Sequence, residues 1–397
     1  MRRRGIIAVL VVAALWFALC QQGERFLNRR ARIPLPEVGA AARALHDAAR
    51  VVDLHADSLM LRRDLLRRSG IGHVDLPRLR EGGVALQVFA SPTVVPWNAN
   101  FDRTPADSFD AERLAGILQW TPLAWRGPFG RALWMAEKLR RFEAESGGGL
   151  FVVRSRADLA ELARRRAAGE PVVGALLALE GAHAAESSPE ALDALFAAGF
   201  RMAGLTHFFD NDYAGSAHGV AKTGLTELGR RTVRQMERLG MTLDLAHLAP
   251  AAIDDVLGMA TRPVVVSHGG VNGTCPGPRT LSDAHVRAIA AGGGVIGIGY
   301  FEGVVCGMQP RDVARAIRYV VDRVGDTHVA LGSDYDGATR VGFDTSELRV
   351  VTQALLDEGL GKASIRRILG GNAWRVLEQN LPAGDGASER GPGEEES

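Results

Sequence analysis

Four of the ten histidines in this 397-residue chain close short apolar runs: His55 in "VVDLHADS", His207 in "GLTHFF", His247 in "TLDLAHL" and His268 in "VVVSHGG". Carboxylates close others, with Asp57 beside His55, Glu180 at the end of "ALLALEG" and Asp334 in "LGSDYDG". A single histidine in such a place is more often a hydrogen-bonded core group than a ligand. Recurrence at run after run points instead to a shared metal site. His55 and Asp57 stand two residues apart, so on a strand they face the same side and can grip one ion together. Imidazole and carboxylate without thiolate suit zinc, with manganese, cobalt and iron as alternatives. Five candidate ligands, His55, Asp57, Glu180, His247 and His268, exceed what one tetrahedral ion needs while it keeps a position open for water. Two ions are expected, bridged by Glu180, with His55 and Asp57 completing the first and His247 and His268 the second. Ions ~3.5–4 Å apart can share a hydroxide and polarise a carbonyl against it.

These groups lie far apart in sequence, so the fold must collect them. Eight β-branched runs alternate with helical patterns, starting at Arg50, Gly83, Pro171, Phe200, Met241, Arg262, Gly293 and Thr327. Six of the eight finish on a residue that can bind a metal or move a proton. The segment "TGLTELGRRTVRQMERLG" places Leu225, Leu228, Thr232, Met236 and Leu239 on one helical stripe, and "PRDVARAIRYVVDRVG" does the same with Val313, Ile317, Val320 and Val324. Strand and helix in alternation imply an α/β fold with a parallel sheet. Eight such units suit a closed (β/α)8 TIM-type barrel with additional helices, over residues 40–381, whose strand ends form one catalytic rim. An open doubly wound sheet is the alternative, but it would want a glycine-rich loop after the first strand, and "DLHADSLML" offers none. The stretch from Ser91 to about Val173, rich in tryptophan, reads as helices and a loop beside the pocket mouth. His46, His73, His218, His285 and His328 fall in helical or loop contexts, and His183 lies just past the third run.

Composition narrows the partners. The balance of 47 basic and 46 acidic residues leaves a net charge of +1, which excludes the electrostatic footprint of nucleic-acid binding. The amino-terminal "MRRRGIIAVLVVAALWFALC" joins three arginines to a 16-residue apolar run. It reads as a signal peptide over residues 1–22 or, since a bilayer needs at least ~17 apolar residues, as an uncleaved anchor. Either places the body outside the cytoplasm, periplasmic or membrane-attached. Cys275 and Cys306 stand 31 positions apart and are expected as a disulfide or as two buried thiols. Residues 382–397, glycine-rich and acidic, are expected to form a disordered tail.

Taken in order, "VVDLHADS", "HVDLPRLREGGVALQVFASP", "LALEGAH", "LTHFFDN", "GLTELGRRTVRQMERLGMTLDLAH", "VVVSHGG" and "LGSDYDG" resemble the membrane dipeptidase family of metal-dependent amidohydrolase barrels. The resemblance implies a dinuclear zinc peptidase that hydrolyses dipeptides and tolerates a D-residue at the carboxyl-terminal position. It assigns His55, Asp57, Glu180, His247 and His268 as ligands to two Zn²⁺ and Asp334 as the acid–base group. Asp336 shares a strand face with Asp334, so the choice between them rests on the family pattern. It places His207 near the substrate carbonyl, and Arg279 at the substrate carboxylate. It favours the Cys275–Cys306 disulfide and leaves a homodimer open. Other small amides, N-acyl amino acids or β-lactams, form the alternative substrate class.

Overall fold

A computed structural model of the chain describes residues 23–111, 113 and 121–384. The leader at 1–22, Trp120 and residues 385–397 of the tail lie outside the described residues. The strands in chain order are β1 (Val51–Ala56), β2 (Val84–Pro92), β3 (Leu150–Val152), β4 (Val173–Glu180), β5 (Phe200–Gly204), β6 (Thr242–Asp244), β7 (Val265–Val271), β8 (Thr280–Leu281), β9 (Val295–Ile298) and β10 (Val329–Leu331). Each of the eight expected runs is one of them. The sheet runs β2-β1-β10-β9-β7-β6-β5-β4 and closes through a β2–β4 pairing. Every pairing is parallel, and Asp53 opposite Leu331 joins β1 to β10. Closure rules out the open doubly wound sheet. It also leaves the barrel without a free edge strand.

The two short strands were not anticipated. β3 pairs with the first residues of β4 (Leu150 opposite Val173), below the point where β5 takes over at Leu177. β8 pairs with the end of β7 beyond Gly269, where β9 has already left.

The helices cover the barrel as their stripes require. In the helix Glu227–Leu239, Thr226 caps the Gly229 N–H, and Thr232, Val233 and Met236 are buried. Gly240, at φ 76°, ends it in the left-handed conformation that favours glycine. In the helix Pro310–Val324 the buried face is Val313, Ile317 and Val320. Along β1 the period of two separates functions: Val52 and Leu54 pack with Trp374 and Leu377, while His55 belongs to the alternate face. Among the described residues of the segment from Ser91 are the end of β2, a helical turn at Ala124–Arg126, the helix Pro128–Glu145, β3 and the helix Arg156–Ala167.

The folded body extends past both ends of the expected domain. Ala31 donates to Val341 O at 2.7 Å and Val341 to Arg29 O at 3.2 Å, so a strap before residue 40 lies on the loop after β10. At the other end, Arg156 N and Ala157 N donate to the carbonyls of Pro382 and Ala383.

Cys275 and Cys306 are bonded, with Cα atoms 5.3 Å apart. The bond ties the loop after β7 to the loop after β9 across 31 residues. Loop-closure entropy for that span is about 3–4 kcal/mol. Cys275→Ser with Cys306→Ser is expected to lower the unfolding free energy by about that amount in denaturant titration. An unchanged midpoint would contradict it.

Candidate metal centre

Each strand delivers its group at the same end of the barrel. His55 lies in β1 and Asp57 directly after it, and Glu180 is the last residue of β4. His207, His247 and Asp334 each follow their strand by three residues, while His268 lies inside β7, which continues to Val271. Two of them sit where the backbone is unfavourable. His247 (φ 65°) and Asp334 (φ 60°) occupy the left-handed region, which costs a non-glycine residue ~1–2 kcal/mol. Bonds hold them there: the His247 carbonyl accepts from Ala217 N at 2.8 Å and Thr206 Oγ1 at 3.1 Å, and the Asp334 carbonyl from Thr339 Oγ1 at 2.7 Å. Gly337 leaves room beside them, since a Cβ there would overlap Asp334 Oδ1 and Asp57 Oδ2.

Glu180 stands at the centre. Its Oε1 lies 3.0 Å from His247 Nε2, 3.4 Å from His268 Nε2, and 3.5 Å from the Nε2 atoms of His55 and His207. His247 Nε2 and His268 Nε2 are 3.0 Å apart, and His55 Nε2 is 3.4 Å from Asp57 Oδ1. Ligands at the usual ~2.0–2.1 Å from a tetrahedral zinc stand about 3.3 Å from one another. The spacing therefore fits metal coordination. It fits hydrogen bonding poorly: His55 Nε2, Asp57 Oδ1 and Glu180 Oε2 are buried without a hydrogen-bond partner, an expensive state unless a cation satisfies them. His55, Asp57 and Glu180 form one triad, and Glu180 and His247 take part in another, together with His207. A third groups His55 with His268 and Asp334. The two triads that share Glu180 are consistent with a binuclear metal centre.

Surrounding groups orient the ligands. Ser267 Oγ lies 2.9 Å from His268 Nδ1 and 3.3 Å from His55 Nδ1. By accepting from both it leaves each Nε2 lone pair free for a metal. Asp53 Oδ1 accepts from Ser333 N at 2.8 Å and His55 N at 3.3 Å, and Asp244 Oδ1 accepts from Ser267 N at 2.8 Å. These buried carboxylates splice neighbouring strands at the level of the ligands. Sequence patterns single out none of the three. Asp53 carries a usable signal, as it stands two residues before His55 on the same strand face.

The two carboxylates after β10 part company. Asp334 Oδ1 lies 3.9 Å from His55 Nε2. Asp336 turns away, accepting from Ser58 Oγ at 2.6 Å, His73 N at 2.7 Å and the Arg63 guanidinium. Arg279 is buried, its Nη2 donating to His268 O at 3.3 Å, and it forms no ion pair among the described residues. His207 Nδ1 lies 3.3 Å from Val94 O. A carbonyl only accepts, so Nδ1 carries the proton and Nε2 turns a lone pair toward Glu180. Donation from Nε2 to a substrate oxygen then requires a tautomer exchange, at the loss of one bond worth about 1 kcal/mol.

The charges respond to this crowding. Burial works against protonation of His55, but Glu180, Asp57 and Asp334 outweigh it and push the imidazole up to about 10. Burial, with Asp57 and Asp334 adding to it, raises Glu180 well above the usual carboxylate range. Asp334 is pushed up to about 7 by burial and Asp57, held back by His55 and Arg279. At pH 7 to 8 the metal-free cluster therefore holds protons that ligands must surrender. Loading with a divalent metal is expected to release at least about one proton per chain, and affinity to rise about tenfold per pH unit for each proton displaced. Calorimetry in two buffers of different ionisation heat checks this; a heat independent of buffer would refute it.

The profile of the membrane dipeptidase family, peptidase family M19, matches residues 39–388. The chain belongs to that family. By that membership it is a metallo-dipeptidase. It is 33% identical over 213 residues to the dipeptidase verJ of Clonostachys rogersoniana, a match covering 52% of this chain and 55% of that one, so it spans about half of that relative. A solved metallo peptidase from Rhodobacter sphaeroides, liganded with a phosphinate mimic of the dipeptide L-Ala-D-Ala, is 25% identical with a TM-score of 0.67, covering 84% of this chain and 99% of that one. An amidohydrolase from Pseudomonas aeruginosa shares the fold at 19% identity and a TM-score of 0.66, covering 86% and 99%.

One further residue of this family member joins the surroundings of the centre without any signal in the sequence. His218 reads as a loop residue, yet it is buried with its ring 5.3 Å from that of His247 and stacked on Phe208 at 4.8 Å. Its Nδ1 donates to Phe101 O at 2.8 Å, which pins the loop after β2 over the centre. No run or period marks it.

Proposed function

We propose that this dipeptidase hydrolyses L-Xaa-L-Xaa and L-Xaa-D-Xaa dipeptides with two zinc ions, and that it recognises them by their free carboxyl terminus. The observation that carries this reading is Arg279, a buried guanidinium beside the ligand cluster with no ion-pair partner among the described residues. A buried cation in that state is costly until an anion meets it, and its planar fork matches a carboxylate. A dipeptide bound there by its carboxylate brings its peptide bond within reach of the centre. The likeness to the Rhodobacter sphaeroides enzyme, with its L-Ala-D-Ala mimic, supports tolerance of a D-residue.

Within this reading His55 and Asp57 would hold one ion and His247 and His268 the other, with Glu180 serving both. Bound divalent ions supply Lewis acidity toward the carbonyl and ionise water near neutral pH. Asp334 accepts the proton of the attacking water and returns it to the departing amine. His207, after its tautomer exchange, donates to the carbonyl oxygen as charge builds there. Export through the amino-terminal leader accords with the disulfide, a bond of oxidising compartments.

The test is a substrate panel on zinc-loaded protein: L,L- and L,D-dialanine, the L,L-dipeptide amide, and N-acetyl-alanine. Cleavage of both free dipeptides is expected, with the amide slower by about 10–100-fold for want of one charge-assisted contact. Equal rates on the amide would remove Arg279 from substrate recognition. Faster turnover of N-acetyl-alanine would move the enzyme to the acyl amino acid class.

A further inference from the structure

The large apolar side chains left exposed are not scattered. Among the described residues they are Phe26 and Leu27 on the strap, Trp97, Phe101 and Phe109 after β2, Trp125 ahead of the helix Pro128–Glu145, and Val220 after β5. All these segments lie at the rim that carries the metal centre. The strap is bonded to the loop after β10 through Val341, and Glu24 is paired with Arg63 of the loop after β1. β10, β1 and β2 are neighbours in the barrel, so the loop bearing Trp97 and Phe109 continues the same arc. That loop reaches the β5 side through Thr104 N to His218 O at 2.7 Å. The turn with Trp125 leads into a helix whose Phe129 N faces Glu186, just past β4. Trp97 is 72% and Phe26 70% exposed, an arrangement unusual on a surface that meets only water.

Two features identify what covers this face. The 16-residue apolar run behind three arginines ends at Cys20, six residues before Phe26. Around Phe26 and Leu27 the strap exposes Arg25, Arg29 and Arg32, with Arg30 paired to Glu347 at 2.7 Å, and the acid nearest to them, Glu24, is occupied by Arg63. Aromatic and apolar side chains interleaved with arginine are the chemistry of an anionic bilayer surface. We propose that the rim carrying the metal centre is apposed to a membrane, with Phe26, Leu27, Trp97 and Phe109 at the headgroup boundary and the strap arginines on anionic lipid. Substrate then enters from the gap between bilayer and barrel. The proposal rests on residues 1–22 being kept as an anchor and is independent of which amide is cleaved.

The full chain is reconstituted in phosphatidylethanolamine–phosphatidylglycerol vesicles, in a Cys20→Ser background that leaves the disulfide in place. An environment-sensitive fluorophore is attached at Trp97→Cys, at Phe109→Cys or, on the opposite end of the barrel, at Ala168→Cys. Turnover measured in parallel separates this test from that of the reaction. The expected result is a blue-shifted emission at positions 97 and 109 that lipid-borne quenchers remove, and neither effect at 168. Equal behaviour of all three sites overturns the proposal. So does shielding of 97 and 109 from lipid and aqueous quenchers alike, which indicates a protein partner. A mature chain lacking residues 1–22 and recovered in the soluble fraction overturns it as well.

Discussion

Glu180→Gln is expected to abolish hydrolysis and to lower bound metal from two ions per chain to one at most. Glu180 Oε1 approaches the Nε2 atoms of His55, His207, His247 and His268 within 3.0–3.5 Å. It thus adjoins ligands of both proposed ions at once. Glutamine keeps the shape but removes the charge that offsets two cations, and its amide nitrogen would turn protons toward imidazole lone pairs. A fall of at least ~10³-fold in kcat/KM corresponds to about 4 kcal/mol of lost transition-state stabilisation. The fold should survive. Burial and the neighbouring Asp57 and Asp334 already push the Glu180 carboxyl up in the metal-free protein, so a neutral group there relieves repulsion. Elemental analysis with a dipeptide assay checks both parts, and a variant retaining two ions and full turnover would refute the bridging role.

Arg279→Met should move activity and stability in opposite directions. The guanidinium is buried without an ion-pair partner among the described residues, and burial lowers its pKa although Asp334 and Glu180 oppose the shift. Replacing such a cation with an apolar side chain of similar length is often neutral or stabilising. The variant is therefore expected to melt no lower than the parent. Its kcat/KM on a free dipeptide should fall by about 10–100-fold, the worth of a charge-assisted hydrogen bond to a carboxylate. With the dipeptide amide the parent and variant should differ little, because the contact is already missing. A loss of equal size on both substrates would assign Arg279 a structural duty in place of recognition.

Much of the centre is legible in the order of residues because its ligands obey strand arithmetic. His55 and Asp57 share a face by the period of two, and Glu180 ends an apolar run because the barrel interior ends there. The eight strand positions follow from β-branched runs, and the helical stripes at Leu225–Leu239 and Val313–Val324 from the period of 3.6. The separate duties of Asp334 and Asp336 are not legible. They lie two residues apart on one loop, both in the left-handed conformation. Their neighbours decide: Arg63, Ser58 and His73 occupy Asp336.

The sequence by itself determined the barrel, the family and the candidate metal-binding groups that the barrel gathers at one rim, since residue type and local period report which faces are buried and which groups can bind a metal. Only the tertiary structure decided the tautomer at His207, the isolation of Arg279, the burial of His218 beside His247, and the crowding of exposed aromatic side chains at one rim. Those properties depend on distances between segments remote in the chain. Such distances are set when the barrel closes, and no local pattern encodes them.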